Sequence, residues 1–153
     1  MGFSVVGLLI AVAILLPNVL LIAFPPRGRP LPSVSAGLVF TILERAGQLG
    51  CLVALVLAGE AFDGRPVAFA IVISVFVAAY WGLWGRYLRT RRAGLLFSPW
   101  LRIPIPMAVF PVLAFATAAL WSLSPWLGLA ALVLAIGHLA NSWAVWKVLR
   151  AGE

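Results

Sequence analysis

Five apolar runs divide the chain, at roughly 3–24, 35–58, 66–85, 103–122 and 126–147. Each approaches the ~20 residues that a helix needs to cross ~30 Å of hydrocarbon. The breaks between them carry turn chemistry: PPRGRPLP at 25–32, GEAFDGRP at 59–66, a basic stretch at 86–102 and SLSP at 122–125. Pro125 suits the first turn of the last helix, where its missing N–H costs nothing. The fourth and fifth runs are close enough to predict a tight antiparallel hairpin. The first run lacks a basic flank and a clear small-x-small cleavage site, so it is expected to stay as a helix. The pattern predicts an all-α polytopic membrane protein, a single transmembrane domain over 1–153 built as a bundle of five helices. No internal repeat is visible, and an odd number of spans argues against a simple duplicated transporter.

Composition agrees with this pattern. The 153 residues are 64% hydrophobic and 10% charged, with a mean hydropathy of +1.12. A soluble domain of this size keeps too much surface to hide so much apolar area, so lipid must be the solvent for most of it. The formal charge of +7 does not indicate nucleic acid, because the basic residues flank apolar runs and form no soluble basic face. One cysteine, Cys51, and one histidine, His138, allow no disulfide framework, metal-ligand set or bis-His haem site. No cofactor is expected. Arginine outweighs lysine ten to one, which with abundant Ala and Gly suggests a bacterial source.

Charge also orients the bundle. Arg27 and Arg29 lie in the first loop, Arg86, Arg89, Arg91, Arg92 and Arg102 in or beside the third, and Lys147 and Arg150 near the end. These alternate onto one side of a five-span topology, whereas the other side holds only Arg65. The positive-inside rule then places the N-terminus outside and the C-terminus in the cytoplasm, in a bacterial inner membrane. Arg86, Arg89, Arg91 and Arg92 precede LLF and Trp100, which suits an interfacial segment on anionic inner-leaflet lipids. Membrane lipids are the expected partner, although topogenic charge alone accounts for the same arginines. The seven tryptophans fit interfacial belts, with Trp81, Trp84, Trp100, Trp143 and Trp146 toward the inner boundary and Trp121 and Trp126 toward the outer. Tyr80, Trp84 and Tyr87 form an i, i+4, i+7 stripe, for which helix packing is the simpler reading and a cavity wall the functional one.

The candidate site comes from polar residues inside the spans. The second span reaches full length only by including Glu44, Arg45 and Gln48 in TILERAGQLG at 41–50. Entering near Val34, that helix carries Glu44 about 15 Å deep. Counting back from Val148 puts His138 at about the same depth on the fifth span. Asn141 and Ser142 follow on the same face, and Asn18 beside Pro17 adds a group from the first span. Each central charge costs ~2.5–3.5 kcal/mol or more, and Arg45 lies too deep to snorkel easily. Glu44, the one acidic residue within a span, is therefore expected to pair with Arg45. Small residues allow close packing here, namely Gly47, Gly50, Ala54 and Ala58 on the second span and Ala78, Gly82 and Gly85 on the third.

Five spans, this length and abundant tryptophan are similar to the tryptophan-rich sensory protein family, with FPPRGRP at 24–30 as a local echo. The likeness is one of architecture and carries over no residue. Three functions fit the polar set. The first is binding or transport of a small polar or amphipathic anionic substrate. In it, Arg45 meets the anion, Glu44 and His138 gate by protonation, and Asn18, Gln48, Asn141 and Ser142 orient the substrate. The second is an enzyme acting on a lipid headgroup, for which Ser142, His138 and Glu44 are the one conceivable nucleophilic arrangement. The third is an accessory subunit whose polar face is buried against a partner in a larger complex. A homodimer would suit a transporter of only five spans.

Overall fold

The computed structural model describes residues 2–27, 32–100 and 102–151; Arg29 and Glu153 lie outside them. Among these residues the chain forms five α-helices: α1 Val5–Ala23, α2 Leu38–Val56, α3 Val67–Thr90, α4 Pro106–Ser122 and α5 Pro125–Ala151. A 3₁₀ turn, Ala93–Leu96, follows α3. Helices α1, α2, α3 and α5 are long and apolar enough to cross a membrane. Their outward faces carry Leu9, Ile22, Leu38, Ile71, Trp126 and Leu132, all exposed. Side chains of this kind in such number point to a membrane-embedded protein.

The helix ends depart from the apolar runs in informative ways. α4 has 17 residues, about 26 Å at 1.5 Å per residue, and falls short of the ~30 Å core. Its run began at 103, but Pro104 and Pro106 delay the helix, because proline restricts the residue before it and cannot donate to a preceding turn. Trp100 and Ile103 instead pair their backbones with each other. Conversely, α3 continues through the basic stretch to Thr90, so Arg86 and Arg89 are helical. The fourth and fifth helices form the expected hairpin. Leu123 adopts a left-handed conformation (φ 50°). The Ser124 hydroxyl accepts from the Leu127 N–H at 3.2 Å, capping α5 just before Pro125.

The helices close a ring in the order α1, α2, α5, α4, α3, each touching the next and α3 returning to α1. The tightest pair is α2 with α5, and glycine makes it so. A Cβ on Gly47 would strike the Leu134 backbone, one on Gly137 would strike the backbone of Glu44 and Phe40, and one on Gly50 would press on Ala130. α1 crosses α2 where Gly7 meets the Leu55 carbonyl. The glycines of α3 play no such part. Gly82 and Gly85 have nothing within 4 Å of a built Cβ, because α3 lies next to α1 and α4 rather than α2.

Pro17 explains another contact. Proline has no N–H, so the Ala13 carbonyl four residues earlier loses its helical donor. The Trp81 Nε1–H of α3 donates to that oxygen at 2.8 Å. Trp81 is therefore a tether between α3 and α1. Nearby, the Tyr87 hydroxyl donates to the Phe24 carbonyl at 2.6 Å. The Arg91 guanidinium lies 4.7 Å over the Phe24 ring, an attractive placement of a cation on an aromatic face. These contacts fasten the end of α1 to the end of α3.

Candidate functional site

The close approach of α2 and α5 creates the polar centre. Because Gly137 lets the backbones meet beside Glu44, the neighbouring His138 and Asn141 side chains reach the carboxylate from one helix. His138 Nδ1 lies 2.7 Å from Glu44 Oε1, and Asn141 Nδ2 donates to Oε2 at 2.6 Å. With Glu44 ionised, this contact requires a ring proton on Nδ1; Nε2 has no hydrogen-bond partner among the described residues. Asn141 also uses its other end, accepting from the Ala36 N–H at 2.9 Å through Oδ1. It thereby ties the segment leading into α2 to the middle of α5. The Glu44 and His138 side chains are 19% and 24% exposed, so the pair is reachable yet mostly shielded from solvent.

A second polar wall faces it. The Tyr80 hydroxyl of α3 donates to Asn18 Oδ1 of α1 at 3.0 Å. Trp84, one turn after Tyr80, is buried, and its indole N–H makes no hydrogen bond among the described residues. Between the walls is a cavity of about 260 Å³ that all five helices line. Asn18, Glu44, His138, Asn141 and Ser142 supply polar groups, with Tyr80 and the indole of Trp84 opposite; most of the remaining lining is apolar, including Phe97, Met107 and Val145. The cavity lies in the half of the bundle that holds the C-terminal parts of α1, α3 and α5 and the N-terminal parts of α2 and α4. Arg86, Arg89 and the segment 91–100 cluster at that same end.

The structure separates the residues singled out from the sequence. It brings Asn18, Glu44, His138, Asn141 and Ser142 to one cavity. It leaves Arg45 and Gln48 outside: Arg45 is exposed, with its guanidinium 3.5 Å from Gln48 Oε1. The pairing expected between Glu44 and Arg45 is thus replaced by Glu44 with His138. Neighbours on a helix point about 100° apart, and α5 offers the carboxylate two donors that Arg45 would have to displace. Ser142 shares no hydrogen bond with His138 among the described residues, so the nucleophilic arrangement lacks its first contact. Of the four arginines before Trp100, Arg86 reaches Ser98 at 3.4 Å and Arg91 covers Phe24, whereas Arg89 and Arg92 are exposed.

Sequence patterning missed Phe97, Met107 and Gly137. Phe97 reaches the cavity from the segment after the 3₁₀ turn, and Met107 from the first turn of α4. Gly137 left a readable signal: Ala130, Gly137 and Asn141 recur on one face of α5, opposite Gly50, Gly47 and Glu44. Comparison with protein-family models, curated proteins and solved structures finds no match to this chain. Among the described residues no group of three or more His, Cys, Asp or Glu side chains is placed to hold a metal ion. The arrangement can accept hydrogen bonds at Glu44, accept or donate at His138 Nε2, and donate at Trp84.

Proposed function

We propose that this chain is a five-span bundle of a bacterial inner membrane, N-terminus outside, that binds a small amphipathic molecule in its central cavity and carries it with proton coupling at Glu44 and His138. One observation supports this above the others: polar side chains from α1, α2, α3 and α5 converge on a cavity whose remaining lining is mostly apolar. Polar groups inside a bilayer are costly and mark substrate or proton paths, and sites with few polar groups in an apolar wall suit small ligands. The shorter α4 spans with help from the segment that precedes it. The anionic substrate expected from the sequence depended on Arg45, and Arg45 lies outside the cavity. An uncharged or positively charged head is favoured instead. Arg89 and Arg92 are the arginines available to anionic lipid.

A thermal-shift screen of the purified chain against a panel of small amphiphiles tests this. Compounds that raise the melting temperature should do so in Arg45→Ala and fail in folded Glu44→Gln. Equal stabilisation of Glu44→Gln by the same compounds would refute the site.

A further inference from the structure

The charges at the cavity are few. Among the described residues Glu44 and His138 are its acidic and basic groups, and no lysine or arginine lines it. α1, α4 and the 3₁₀ turn present no titratable side chain to the pair, and α3 presents Tyr80, which is occupied with Asn18. Arg45, the next residue on α2, keeps its guanidinium on the outward face at Gln48. A carboxylate held mostly away from water needs a positive partner close by. Inside the cavity one candidate is the proton of an imidazolium at His138, 2.7 Å away. The other is a positive charge on the ligand. Tyr80, Trp84 and Phe97 line the same space, and aromatic faces attract ammonium groups.

We propose that the cavity binds a small organic monocation, an amine or quaternary ammonium on an apolar body, and that the cation takes over Glu44 as His138 gives up its proton. This rests on the small-molecule reading above and names its ligand class and its coupling. The balance is simple. The ligand's positive charge enters beside Glu44, the imidazolium releases one proton to water, and the net charge of the cavity is unchanged. Conserving that charge removes the cost of placing an extra ion within the bilayer. Binding must therefore strengthen as pH rises while His138 is protonated, because proton and ligand compete for one carboxylate.

Three probes of similar size test this on the unmodified full chain in lipid nanodiscs: benzyltrimethylammonium, benzyl alcohol and benzenesulfonate. Calorimetry in two buffers of different ionisation enthalpy, between about pH 5.5 and 8, reads both affinity and proton release. Benzyltrimethylammonium should bind about tenfold or more tighter than benzyl alcohol, with benzenesulfonate weakest. Up to one proton should leave per cation bound at the acid end. His138→Gln should keep cation binding and lose both the proton release and the pH slope, whereas Glu44→Gln should lose the preference for the cation. Equal binding of the three probes, a preference for benzenesulfonate, or cation binding without proton release would overturn this inference while leaving a ligand-binding cavity intact. Binding of none of them would overturn both.

Discussion

Gly137 shows how one missing side chain sets a site. A Cβ at this position would strike the Glu44 and Phe40 backbone, and the close approach its absence permits lets His138 and Asn141 reach the carboxylate. Gly137→Ala should destabilise the bundle by about 1–3 kcal/mol, since a new methyl must push two packed helices apart. Gly82→Ala, with open space at its Cβ, should be neutral or gain less than about 1 kcal/mol from helix propensity. Thermal melts of the two variants in the same detergent check the contrast. Asn141 offers a second test. Asn141→Leu removes the acceptor of the Ala36 N–H and a donor to Glu44, at a cost of about 1–3 kcal/mol. Hydrogen exchange at Ala36 should speed up; an unchanged rate would mean that the tether does not hold that segment.

At the scale of the element, Pro17 and Trp81 form one device on two helices. The proline leaves the Ala13 carbonyl without a helical donor, and the indole of Trp81 supplies one. A double-mutant cycle with Pro17→Ala and Trp81→Phe isolates the contact, because replacing the proline with alanine restores the helix's own N–H. The coupling should be about 0.5–1.5 kcal/mol, read from denaturation in micelles. Additive effects would mean that the indole contributes nothing at that carbonyl. The sequence marks the freed carbonyl but not its partner, since Trp81 also satisfies every criterion for an interfacial tryptophan. α4 makes a related point. Its apolar run reads as a full span, yet two prolines shorten the helix, and the segment before it adds Phe97 to the cavity wall.

For the whole molecule, the proposed topology sets Asp63 and Arg92 on opposite sides of the membrane. Cys51 is fully buried, so membrane-impermeant maleimide should leave it unlabelled in the folded bundle. In a Cys51→Ala background, Asp63→Cys should label from the outside of intact cells and Arg92→Cys only after the membrane is opened. Labelling of both from the same side would break the alternation of the basic loops.

Hydropathy and spacing determined the helical class, the approximate limits of the elements, the hairpin at Pro125 and the depth match of Glu44 with His138. Those properties follow from periodicity and length, which are local and survive in one dimension. Only the tertiary structure decided which charges meet. Arg45 is adjacent to Glu44 in the chain but turned away by the helical pitch, whereas His138, 94 residues distant, arrives through the glycine contact of α2 and α5. Partner choice depends on which helices are neighbours and how closely their backbones pack, and a span pattern leaves the order around the ring undetermined.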